Sequence, residues 1–110
     1  MIRQVAITDF PAIKLEHPNP QVWDVRDAAL YAEGHLKGAV NHPIDQLNVA
    51  SLDSFPKGEP LFVLCGGGSK AGRAIAMLES LDPTRDYVEL TGGTRGAIEA
   101  GLAISVKSHH

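Results

Sequence analysis

Leu61-Phe62-Val63-Leu64-Cys65-Gly66-Gly67-Gly68-Ser69-Lys70 is the stretch on which the fold turns. Its first four residues are a continuous apolar run, the pattern of a strand buried on both faces of a parallel sheet. Three glycines then break the chain. Ala71, Ala74, Ile75, Leu78 and Leu81 follow at i, i+3, i+4, i+7 and i+10, which predicts an amphipathic helix. Asp82-Pro83 ends it. Strand, glycine loop and helix in this order are the unit from which α/β sheets are built.

The pattern extends in both directions. On the N-terminal side, Gln4–Ile7 reads as a short strand. Thr8 is placed to cap a helix that carries Pro11 in its first turn and runs to about Glu16. Gln21–Val25 reads as a strand, Ala28–Glu33 as a short helix stopped by Gly34, and Gly38–Asn41 as a brief strand. On the C-terminal side, Tyr87–Leu90 is a last strand, and Gly92-Gly93 turns into a short helix ending near Gly101. Alternation at this spacing implies an α/β sandwich with helices around a mostly parallel sheet. Residues 1–106 make one expected domain. Residues 107–110 read as a tail whose His109-His110 is either native or a tag remnant.

Composition narrows the function. The 110 residues are 44% hydrophobic and 21% charged, which excludes wholesale disorder. A net charge of −3 argues against a nucleic-acid binder held by phosphate contacts. No apolar run approaches the roughly 20 residues of a membrane span, and no signal-peptide pattern opens the chain. A cytoplasmic protein is the expectation. Cys65 is the only cysteine, so neither an intramolecular disulfide nor a cysteine-based zinc site is available.

Cys65 stands at the carboxyl end of the most buried strand, the edge where open α/β sheets bind ligands. Glycines tolerate the backbone of a tight anion-binding loop. Unpaired N–H groups at the following helix start favour a thiolate over a thiol. Between Pro60 and Leu78 the only charged residues are Lys70 and Arg73, a locally positive segment in an acidic chain. A nucleophilic thiol acting on an anionic substrate is the reading that follows. A phosphate-binding P-loop fits poorly, because Lys70 follows Ser69 and precedes Ala71. A dinucleotide fingerprint fails too, since Gly66 and Gly68 are followed by Ala71 where the third glycine belongs.

Two further segments complete the picture. Asp24-Val25-Arg26 precedes Tyr31-Ala32-Glu33-Gly34-His35-Leu36-Lys37-Gly38-Ala39-Val40-Asn41-His42-Pro43, and Leu90-Thr91-Gly92-Gly93 precedes Ala100-Gly101-Leu102. With Cys65–Ala71 these resemble, in order and spacing, the rhodanese family of sulfurtransferases. The resemblance implies a three-layer α/β sandwich with a central, mostly parallel five-stranded sheet. It implies that Cys65 accepts a sulfane sulfur as a persulfide. Gly66, Gly67, Gly68, Ser69, Lys70 and Ala71 would form the loop whose N–H groups surround that sulfur. Asp24, Arg26 and His35 match motif positions that are mostly architectural. His42 falls where the family has an apolar residue and reads as a loop histidine. Lys70 replaces a common arginine, Ala97 a tryptophan and Ala103 a proline. Phosphatases of this fold place an arginine six residues after the cysteine, where this chain has Ala71.

The function so implied is sulfur transfer from a small anionic donor such as thiosulfate to a thiol or protein acceptor, with no metal or organic cofactor. The alternative is a sulfur-relay or redox-sensing module with little small-donor turnover.

Overall fold

Prolines and glycines punctuate the chain into short pieces, and each piece takes the form its side-chain spacing favours. In a computed structural model, which describes residues 1–53, 56 and 58–106, five strands form one parallel sheet. They are β1 (Ile2–Ala6), β2 (Gln21–Asp24), β4 (Val40–Asn41), β5 (Leu61–Leu64) and β6 (Tyr87–Thr91). Their order is β1-β6-β5-β2-β4, and every neighbouring pair is parallel. A separate antiparallel pair joins β3 (His35–Leu36) to β7 (Ile104–Ser105). The helices are α1 (Phe10–Glu16), α2 (Ala28–Glu33), α3 (Val49–Leu52), α4 (Lys70–Leu81) and α5 (Gly93–Glu99). The expected tail, 107–110, lies outside the described residues.

The central strand carries the architecture. All four residues of β5 are buried, and their alternation divides the core in two. Leu61, Val63 and Cys65 pack with Trp23, Val25, Ala71, Ala74, Ile75, Leu78 and Tyr87 beneath α4. Phe62 and Leu64 pack with Ile7, Phe10, Val22, Val88, Leu90 and Ala97 on the opposite face. The sheet is therefore the middle of three layers. Each large side chain so buried contributes about 1.5–3 kcal/mol. Tyr87 also ties α4 to the sheet, its hydroxyl lying 3.0 Å from Leu78 O and 2.7 Å from Asp82 O.

Several local expectations need correction. The first strand begins earlier, at Ile2, because its ladder to β6 runs from Ile2 opposite Tyr87 to Ala6 opposite Thr91. Ile7 leaves the strand in a 3-10 turn and enters the core. Thr8 therefore caps nothing, and α1 starts at Phe10 behind Asp9 with no side-chain cap bond. Gly34 follows α2 as expected, but in an extended conformation (φ 167°) rather than a left-handed one. Leu81 is 43% exposed. At about 100° per residue it sits roughly 70° from the middle of the buried face of α4, on its rim. No helix among the described residues is long and apolar enough to cross a membrane.

Candidate active site

β5 delivers Cys65 to the carboxyl edge of the sheet with its side chain on the α4 face. The residue is 4% exposed, and its thiol donates to the Gly68 carbonyl across 3.6 Å. Gly66-Gly67-Gly68 carries the chain around the sulfur into α4. Only Gly67 has positive φ (+132°), and a β-carbon there would lie 3.2 Å from Gly92 O. The positive φ strains any residue with a β-carbon at 67, and the close approach to Gly92 O adds to that strain.

The loop is held from outside. The Thr94 N–H donates to Cys65 O (2.8 Å) and the Arg95 N–H to Gly66 O (3.2 Å). These two donors open α5 and have no partner within their own helix, so the loop carbonyls satisfy them. Gly93 makes the contact possible. A β-carbon on it would lie 2.6 Å from Gly67 N and 2.9 Å from Gly66 C, and closer still to Cys65 O.

Beside the sulfur opens a cavity of about 250 Å³. Arg26 and Leu30 form one wall, Cys65, Gly66 and Gly68 the floor, and Ser69, Lys70 and Arg73 the other wall. Leu30 is 45% exposed and gives the mouth an apolar lip. Every charged side chain in the lining is a cation. Two loop residues named from the sequence fall elsewhere. Gly67 faces the 92–93 turn, and Ala71 turns into the core at 1% exposure. The positive segment is also tempered from a distance, because Asp27 Oδ1 lies 4.0 Å from Lys70 Nζ. With Asp27 well exposed, such a pair contributes about 0–1 kcal/mol.

Asp24 and Arg26 form a buried fork. Arg26 Nη2 donates to Asp24 Oδ2 (2.8 Å), Nε donates to Oδ1 (3.0 Å), and Nη2 also reaches Gly34 O (2.7 Å). Asn41 donates to the carbonyls of both Asp24 and Arg26. Arg26 thus locks the β2–α2 turn while its stem walls the cavity. His35 is not among the residues that line the cavity. Its ring stacks on Tyr31 (centroids 3.7 Å apart), and Nδ1 meets Tyr31 O at 2.8 Å.

His42 is half-buried rather than a free loop residue, and it stacks on Trp23 at 3.9 Å. Burial holds its imidazole below the ordinary histidine value of 6.5. Between the folded value and about 6.5 the unfolded chain binds the extra proton. Stability supported by neutral His42 is therefore full above about pH 6.5 and falls as acid is added. His42→Phe keeps the stack and removes this proton. In urea titrations at pH 7.5 and 5.5, wild type is expected to lose more stability than the variant. Equal losses in the two proteins would show that His42 does not contribute to the acid sensitivity.

Leu30, Asp27, Thr94 and Arg95 reach the loop from distant segments, so no local pattern in the sequence marks them as site residues. The Gly92-Gly93 pair was the one available signal. Among the described residues, no cluster of three or more His, Cys, Asp or Glu side chains is placed to hold a metal.

The chain matches the Rhodanese-like domain family over residues 12–100. It is 29% identical over 91 residues to thiosulfate sulfurtransferase PspE of Escherichia coli (strain K12), covering 81% of either chain. Among solved structures it resembles the rhodanese-like domain of an Anabaena protein, with a TM-score of 0.81 at 27% identity. That match covers 97% of this chain and 81% of the other. A rhodanese-like domain protein of Staphylococcus aureus gives a TM-score of 0.74 at 29% identity, covering 96% and 99% of the two chains.

Proposed function

This chain belongs to the rhodanese-like family, and from that membership we propose that it is a sulfurtransferase working through a Cys65 persulfide. One observation carries the reading. The only thiol in the chain lies on the floor of an open cavity whose charged lining is wholly cationic. The likeness to a thiosulfate sulfurtransferase supports an anionic sulfane donor of that kind.

The reaction is a double displacement. Cys65 first releases its proton to solvent, and its contact with the Gly68 carbonyl is given up, since a thiolate has no proton to donate. The thiolate attacks the outer sulfur of thiosulfate. The S–S bond of the donor breaks, and its electron pair leaves with sulfite. Lys70 and Arg73 stabilise the sulfonate charge as it departs. Lysine acts here as a point charge rather than a fork, so Lys70 attracts the group without fixing its orientation. An acceptor then attacks the outer persulfide sulfur and regenerates the Cys65 thiolate. Because no second cysteine exists in the chain, that acceptor comes from outside: cyanide in an assay, a thiol in the cell.

The expected result with thiosulfate and no acceptor is a burst of about one equivalent of sulfite per chain, the signature of a covalent intermediate. Added cyanide turns the burst into steady turnover. A slow burst beside fast uptake from a protein persulfide would assign a relay module instead. No sulfite release and no uptake from any sulfane donor would refute both.

A further inference from the structure

The polyglycine loop has almost no side chains with which to choose a donor, so selection falls to whatever flanks it. One flank is α4, which supplies Lys70 and Arg73 to the cavity. The other flank is α5, and its exposed cation at the loop is Arg95. The backbone N–H of Arg95 donates to Gly66 O, and its β-carbon lies 3.7 Å from where a β-carbon on Gly67 would stand. The arginine stem therefore starts against a loop residue that has no side chain to intervene. A side chain at 67 would be strained by the φ of +132° and crowded by the nearby Gly92 carbonyl. Among the described residues no carboxylate forms an ion pair with Arg95, whereas Arg26 is matched by Asp24 and Lys70 by Asp27. Its charge is thus unpaired by any described carboxylate, on a side chain that starts against the loop just outside the cavity lining.

We propose that Arg95 is a specificity-determining residue of the Cys65 site, one that selects sulfur donors with an anionic, oxygen-rich end over neutral donors. This deepens the sulfur-transfer reading and rests on it for the identity of the donor. The positive charge around Cys65 then comes from two helices far apart in the chain, not from the segment after the cysteine alone.

The test does not depend on sulfur transfer. Cys65 is the only thiol in the chain, so alkylation rates report on it directly. Iodoacetate and iodoacetamide are close in size and differ in charge, and both need the same thiolate. Their rate ratio therefore reads the potential at the sulfur, with thiolate content cancelled. On the full chain at low ionic strength, Arg95→Gln is expected to lower the iodoacetate-to-iodoacetamide ratio about threefold, the scale of one partly screened charge nearby. Arg95→Lys should restore most of the ratio, and added salt should bring wild type toward the Gln variant. With thiosulfate, the same Gln variant should raise KM about threefold with kcat little changed, because only anion binding is weakened. An unchanged ratio overturns the proposal. So does a parallel fall of both alkylation rates, which would mark a structural role in holding the loop. A shifted ratio in a chain that no sulfane donor loads would refute the sulfur-transfer reading and leave the charge assignment standing.

Discussion

Cys65→Ser is expected to abolish sulfur transfer while leaving the fold in place. Serine is close to cysteine in shape, and the contact it loosens, the thiol's bond to the Gly68 carbonyl, is long at 3.6 Å. The loop's own restraints, from the Thr94 and Arg95 N–H groups, involve backbone oxygens and are untouched. Stability should therefore change by no more than about 1 kcal/mol. Chemistry should not survive. A serine hydroxyl is not ionised near neutral pH, and no side chain in the cavity lining is a general base. Thiosulfate turnover should fall by roughly three or more orders of magnitude, the scale for deleting a covalent nucleophile. The sulfite burst should vanish with it. A residual burst in this variant would mean that the attacking group lies elsewhere.

Gly93→Ala has the largest expected effect on stability, and it acts at the site without touching a reacting atom. The added β-carbon would lie 2.6 Å from Gly67 N and 2.9 Å from Gly66 C, and it would also collide with Cys65 O. These are backbone atoms, so no side chain can rotate away. The φ of +56° adds about 1–2 kcal/mol for any residue with a β-carbon. Relief requires α5 to back off the loop, breaking the bonds from Thr94 and Arg95 at about 1 kcal/mol each. The sum is about 3 kcal/mol or more, a large share of a typical stability of about 5–15 kcal/mol. Gly38→Ala is the control. Gly38 also has positive φ (+93°), yet nothing lies within 4 Å of its β-carbon position. Chemical denaturation should show the Gly93 variant well below the Gly38 variant, with thiosulfate turnover lost in the first and kept in the second. Equal stabilities would show that the contact between turn and loop is not what holds the site.

Much of this arrangement was legible in the sequence because its signals are local and periodic. Leu61–Leu64 is apolar at every position, as a strand covered on both faces must be, and β5 spans those residues. Ala71, Ala74, Ile75 and Leu78 share one helical face, and all four are buried. What escaped reading was short or brought together only by folding. The β3–β7 pairing involves two residues from each strand, too few for alternation to register. The turn of helix at Val49–Leu52 is announced only by the Asn48–Ser51 capping box. Charge is legible only in part, for a related reason. Residues 60–78 carry Lys70 and Arg73 as their charges. Asp27 from the β2–α2 turn and Arg95 from α5 join them only through folding. The clamp on the loop is likewise a tertiary feature, written in two glycines whose purpose appears only once β5 and β6 lie side by side.

The central claim is that Cys65 carries the sulfur in transit, and intact-mass measurement after thiosulfate treatment without acceptor tests it most directly. The expected result is a gain of about 32 Da, one added sulfur atom as in persulfidation. It should map to the peptide containing Cys65 and disappear on addition of cyanide or a thiol. A chain that stays at its original mass with thiosulfate and with every other sulfane donor would contradict the account.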